Sequence, residues 1–187
     1  MKKLLTLLSL VLGLQISLFG SSQVYANAKE EKPILAEESY PEIGYQTIEE
    51  SVKAFEEHFN QDLKLRLRTP PIAFTHHFGR FSDLEGENND SFEIEMINEN
   101  QPENLYKIDI RPVKHKINVD KYVLDTFTLK NGIIAKYMAY RPFVALVFER
   151  DGWQYMLSIN KRVSDVVTPK VLVEIANSID YPPARND

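Results

Sequence analysis

Two of the chain's four histidines are adjacent, His76 and His77 in the stretch TPPIAFTHHFGRFS over residues 69–82. Imidazoles in close company are the side chains that hold a transition metal or take a proton from a nucleophile. Either chemistry needs both rings on one side of the backbone. The run from Ile72 to Phe81 reads as extended, and successive side chains of a strand point to opposite faces, so the pair does not serve one site. A metal would need one of them joined by His58, His115 or carboxylates that the fold gathers, because no His-Glu-x-x-His helix pre-sets two ligands. The predicted role is that of strand histidines packed or hydrogen-bonded in a sheet, and no metal or cofactor is expected.

Other residue patterns bear on chemistry. The segment from Asp83 to Asp90, with Glu85, Glu87, Asn88 and Asn89 between, is rich in the oxygen ligands that suit calcium. Its Gly86 is misplaced for an EF-hand and no glutamate closes the loop, so a solvated turn is the expectation. No nucleophile elbow, Gly-rich phosphate loop or Ser-x-x-Lys motif occurs, and the seven glycines are scattered. Catalytic residues are therefore not expected, although a glycosidase-type carboxylate pair is defined only by tertiary geometry.

Two groups of residues are candidates for binding. Lys64, Arg66 and Arg68 would line one face of a strand, and Arg111 and Lys114 follow in RPVKHK. Were they to converge, they would hold an anionic wall polymer, a phosphate head group or an acidic partner segment; separately, they protect a strand edge from aggregation. The chain also has nine Tyr, ten Phe and one Trp. Phe74, Phe78, Tyr137, Trp153 and Tyr155 are expected inside the curve of a sheet, as core or as the walls of a pocket for an acyl chain or peptide.

These residues must be positioned by elements, and the chain first declares where it goes. Lys2 and Lys3, an apolar run from Leu4 to Phe19 and the small residues Ala26-Asn27-Ala28 have the three parts of a secretory signal, with cleavage expected after Ala28. The run is short for a bilayer span, and an uncleaved anchor is the alternative. Cysteine is absent, which excludes disulfides and thiolate chemistry. Lys and Arg total 22 against 27 Asp and Glu, a balance that opposes nucleic acid and anionic lipid surfaces as partners of the whole molecule. Residues 29–46 hold acids and prolines without a period and read as a flexible leader, and 47–187 as a single domain.

Within that domain Thr47 and Glu50 have capping-box spacing, and Ile48, Val52, Phe55 and Phe59 form a helical stripe to about residue 60. Alternation then predicts strands over Leu63–Arg68, Ile72–Phe81, Phe92–Met96 and Tyr106–Ile110. Asn131-Gly132 and Asp151-Gly152 each sit between β-rich runs and predict hairpins, the first with a type I′ turn. Trp153, Tyr155, Leu157 and Ile159 share one face, and Phe143–Phe148 is apolar on both, so both sides of the sheet must be covered there. Thr168 and Pro169 open a closing helix striped by Leu172, Ile175, Ala176 and Ile179, which Pro182 and Pro183 stop. The prediction is an α+β domain with a curved, mainly antiparallel sheet of about eight strands packed by an N-terminal and a C-terminal helix.

The block YRPFVALVFERDGWQYMLSINKRVSDVVTPKVLVEIANSI carries a resemblance. A strand, an acidic-glycine turn at Asp151-Gly152, an aromatic strand with Trp153 and Tyr155, and a helix from Thr168 to Ile179 occur in an order that resembles the end of the DUF4367-like family of exported Bacillus-type proteins. The resemblance covers about the last third of the chain. It implies relatives among curved-sheet lipoprotein-carrier and anti-sigma-sensor folds, and binding rather than catalysis, by analogy of fold. The expectation is a secreted, non-enzymatic binding or sensing module at the bacterial cell surface, with a surface protein or wall polymer as partner. A carrier of a lipid or peptide in an aromatic-lined pocket is the alternative, and a metal- or carboxylate-dependent hydrolase the third reading.

Overall fold

The computed structural model describes residues 35–65, 68–83 and 90–180. The signal, residues 29–34 of the leader, Arg66, the acidic stretch 84–89 and the proline stop at 182–183 lie outside the described residues.

Helix α1 spans Ala36–Glu42 and α2 spans Ile48–Phe59; β1 is His76–Ser82, β2 Ser91–Ile97 and β3 Leu105–Pro112. After a crossing segment come β4 Val123–Thr128, β5 Ile134–Tyr140, β6 Phe143–Arg150 and β7 Trp153–Asn160, and then α3 Pro169–Asn177. The seven strands form one antiparallel sheet in the order β1-β2-β3-β7-β6-β5-β4. This is the α+β architecture that the alternation and the two helical stripes predict, with seven strands in place of about eight.

The strand predicted over Leu63–Arg68 is not formed by its described residues, 63–65 and 68, which belong to no strand of the sheet. Leu63 is buried in the core and its N–H donates to Glu56 Oε1, while the Arg68 N–H donates to Ser178 Oγ. Period-two alternation reports that one side of a segment is buried, and here helix side chains rather than a neighbouring strand satisfy the backbone.

Helix α2 starts where its capping box predicts: the Thr47 side chain accepts from Glu50 N–H while the Glu50 carboxylate accepts from Thr47 N–H. The helix lies directly on β1 at Gly79, where a Cβ would come within 2.8 Å of Ile48 Cα and Ser51 Oγ. Gln46 pairs with Gly79 from outside, so the sheet edge at β1 is partly closed.

One sheet face and helices α2 and α3 enclose the main core, in which Phe55, Phe92, Tyr106, Leu146, Trp153, Tyr155, Leu172 and Ile175 are buried. At roughly 1.5–3 kcal/mol for each fully buried large side chain, this face supplies most of the drive to fold. The second face carries charged rows on β1–β3 and a smaller apolar cluster of Val119, Met138, Ala145 and Val147. Strand β6 is thus apolar on both sides, as its composition predicts, because both sides are covered.

Two sequence expectations change. Residues 35–46 are not a loose leader: they contain α1, and Tyr45 is 6% exposed. Tyr40 stacks on Phe78 at 4.3 Å, and Arg80 lies over the Tyr45 ring at 4.4 Å. Two aromatic anchors hold the segment, and an acid-rich composition without a period does not register them. The Asn131-Gly132 turn is a three-residue loop closed by Gly132 N–H to Leu129 C=O and Leu129 N–H to Ile133 C=O, with positive φ at Gly132 alone. The two-residue turn with both central residues at positive φ, the type I′ form, is instead Asp151-Gly152.

Candidate functional site

Because β3 neighbours β7 in the middle of the sheet while β4 lies at its edge, the chain between them must cross β7, β6 and β5. Residues 113–122 make that crossing over the second face as a strap. Three contacts tie it down. The Gln154 amide of β7 accepts from Ile117 N–H at 2.8 Å and donates to Ile117 C=O at 3.0 Å; Lys116 pairs with Glu149 of β6 at 2.7 Å, and Asp120 with Lys136 of β5 at 2.6 Å. Val119 is buried against Met138, Ala145 and Val147.

Beside the strap the same face opens into a groove of about 640 Å³. Its floor is the middle part, Glu95 to Met138, of a row that the register defines. Phe78, Glu95, Lys107, Ser158, Ala145, Met138 and Val123 are successive partners across all seven strands, and directly opposed residues share a face. Polarity falls along this row from Glu95 and Lys107 to Ala145 and Met138. Met156, Phe143 and Leu105 wall the groove from the sheet, and Ile117, Val119, Tyr122 and Tyr140 close it from the strap side. A second cavity of about 160 Å³, with Glu149, Phe148 and Gln154 in its wall, shares Ile117, Asn118 and Val119 with the groove.

The charged end is a closed network. Glu93 accepts from Arg80, from Lys107 Nζ at 2.6 Å and from the Tyr45 hydroxyl. Burial works to raise the Glu93 carboxyl's pKa, but hydrogen bonds and charge from Lys107 and Arg80 outweigh it and hold the group below the ordinary carboxylate value. Glu95 accepts the Tyr40 hydroxyl on one oxygen at 2.7 Å and, on the other at 2.9 Å, the single Tyr45 hydroxyl hydrogen, which it shares with Glu93. Burial and these carboxylates push both phenols well above their usual range. Asp109 takes Arg111 in a forked pair, yet burial lifts its carboxyl above the usual value. By contrast, the Ser158 hydroxyl in the groove floor has no hydrogen-bond partner among the described residues.

The residues singled out from the sequence lie elsewhere. Trp153 and Tyr155 face the helices, packed against Phe55, Phe59 and Phe148, and Phe74 and Tyr137 border that same core. Burial in this apolar setting pushes the Tyr155 phenol up to about 12. Phe78 is on the second face but lies under Tyr40. None of the five lines the groove: an aromatic strand face seeks the larger buried surface, which here lies beneath the helices.

The basic residues do not converge either. Lys64 pairs with Asp151, Arg68 with Glu174 and Arg111 with Asp109, each in a different part of the fold; Lys114 stands on the strap.

His76 and His77 take opposite faces, as the extended backbone requires. His76 meets Glu37 at 2.9 Å and Thr75 at 2.8 Å, while exposed His77 lies against Phe74. Folding gathers two His-carboxylate triads, Glu37/His76/Glu99 and His58/Asp83/Asp90, whose potential ligand atoms lie within 4.8 Å of one another. Either could offer three ligands to a divalent ion, and in both the histidine already meets a carboxylate within 3.2 Å.

The groove residues escaped the sequence reading because their only signal is parity. Gln154, Met156 and Ser158 alternate with the aromatic face of β7, and what they meet depends on register. Among the described residues no helix is long and apolar enough to cross a membrane. Compared with known proteins, the chain matches no family model, no curated protein and no solved structure.

Proposed function

We propose that this is an exported, non-enzymatic binding protein that holds a small apolar or amphipathic molecule in the groove beneath its strap. One observation carries the reading: an open groove of about 640 Å³ with an apolar floor on an otherwise charged sheet face. That size falls in the range of about 300–1,000 Å³ typical of small-molecule sites, and a few polar groups stand among apolar ones as such sites require. Met138 and Met156 supply adaptable thioether surface. The N-terminal pattern of Lys2, Lys3, the run to Phe19 and Ala26-Asn27-Ala28 supports export.

A carrier fits better than a basic docking surface, because Lys64, Arg68 and Arg111 are each tied to a separate carboxylate. Binding fits better than hydrolysis, because Glu95 and Lys107 in the groove wall are already engaged by tyrosines and by Glu93.

The test is fluorescence titration of the chain from Lys29 onward with Nile red, a neutral polarity-sensitive dye. Stoichiometric enhancement is expected in the wild type and its loss in Ala145→Phe and Met156→Phe, which fill the groove. Circular dichroism and cooperative unfolding check that both variants fold. Absence of enhancement in the wild type, or undiminished enhancement in folded variants, overturns the reading.

A further inference from the structure

We infer that the occupant of the groove is a single-chain amphiphile of the free fatty-acid type, its carboxylate seated at Lys107 and Ser158 and its chain directed toward Phe143 and Tyr140. This rests on the groove being a binding site and adds the chemistry and direction of the ligand.

The polar end of the groove offers donors with capacity to spare. Each Glu95 oxygen already accepts a tyrosine hydroxyl, and the Tyr45 hydrogen is shared with Glu93. Lys107 donates one ammonium hydrogen to Glu93 and has others to give, and the Ser158 hydroxyl, its direct neighbour on β7, has no partner among the described residues. A carboxylate placed between these two satisfies both.

Charge points the same way. Arg80 and Lys107 balance Glu93 and Glu95, and the remaining charged residue of the groove wall is Lys121 on the strap, whose ammonium lies over the Tyr122 ring. The site therefore carries one positive charge in excess, which an anion neutralises and a cation would double. Electrostatic complementarity of this kind selects between heads that share one tail.

Shape sets the direction. Ser158 and Ala145 are adjacent small residues at the centre of a row whose longer members are Lys107 and Met138. Val119 of the strap covers Ala145 and Met138, and the open part of the groove lies by Ser158, Met156, Phe143 and Tyr140. From the strand of Lys107 to that of Met138 is three strand spacings, roughly 14 Å, a span for one chain of medium length.

Displacement of Nile red by three ligands with the same tail separates the possibilities: dodecanoate, dodecanol and dodecyltrimethylammonium, at neutral pH and below their self-association concentrations. Dodecanoate is expected to displace the dye at about tenfold lower concentration than either of the others, the effect of one charge-assisted contact. Ser158→Ala and Lys107→Gln should each bring dodecanoate close to the alcohol, with the dye's own affinity remeasured in each variant as the reference. Equal displacement by all three, a preference for the ammonium compound, or unchanged dodecanoate affinity in both variants overturns the head assignment and leaves groove binding standing. Failure of the wild type to bind the dye overturns both.

Discussion

The side-chain amide of Gln154 and the backbone of Ile117 form a closed pair of hydrogen bonds, 2.8 Å from the Ile117 N–H and 3.0 Å to its carbonyl. Gln154 is 4% exposed on β7, so a strand grips the strap at one of the three residues that groove and smaller cavity share. A glutamine is suited to this because it carries one donor and one acceptor, which match one residue's backbone groups.

Replacing Gln154 by Leu should therefore loosen the strap and leave the sheet. The loss of two hydrogen bonds should cost about 1–3 kcal/mol. Amide exchange at Ile117 should accelerate while exchange in β6 and β7 stays slow, and Nile red should bind more weakly. Unchanged exchange at Ile117 would show that the ion pairs of Lys116 and Asp120 hold the strap without it.

The contact of α2 with β1 depends on the missing side chain of Gly79. A methyl there would meet Ile48 Cα and Ser51 Oγ at 2.8 Å, and the backbone partner cannot move aside cheaply. Gly79→Ala should destabilise the domain by roughly 1–3 kcal/mol through overpacking, read as a lower urea midpoint. Wild-type stability in this variant would mean that the helix sits farther from the strand.

The Glu93 network predicts a pH dependence whose sign follows from its lowered pKa. The native state prefers the ionised carboxylate, so its stabilising effect is complete above the ordinary value near 4.5 and is lost as pH falls through the lower folded value. Glu93→Gln should be less stable than the wild type at neutral pH, and the difference should shrink below about pH 4.5. Unfolding free energies at several pH values decide this. A gap that stays constant into acid would show that Glu93 acts by packing alone.

Gly132 and Gly152 have φ of +82° and +86°, and a Cβ at either would meet nothing within 4 Å. Valine at either position should therefore cost about 1–2 kcal/mol from backbone strain, with no steric component. Asparagine should recover part of that loss, because it tolerates the left-handed region. If valine and asparagine lower the unfolding temperature equally, strain is not the cause.

Much of the fold was legible locally. Thr47 and Glu50 marked the start of α2, Thr168 and Pro169 that of α3, and two Xaa-Gly pairs marked hairpins, because each is decided by backbone chemistry within a few residues. The faces of β3 and β7 could be read from alternation for the same reason. Segments held by distant partners were misread. The segment Leu63–Arg68 alternates, yet its described residues join no strand, and residues 35–46 lack a period yet are fixed by Tyr40 and Tyr45.

The sequence by itself determined the α+β class, the two helical stripes and the histidines' opposed directions, all consequences of short-range periodicity. Its absence of cysteine also ruled out thiolate chemistry. Only the tertiary structure decided the site. The row from Glu95 through Lys107 and Ser158 to Met138 joins residues from five strands, brought together by register and by the return of β7 to the side of β3. No local signal encodes those pairings. They are set by burial of the opposite face, which places the aromatics beneath the helices and leaves the alternate residues to form the groove.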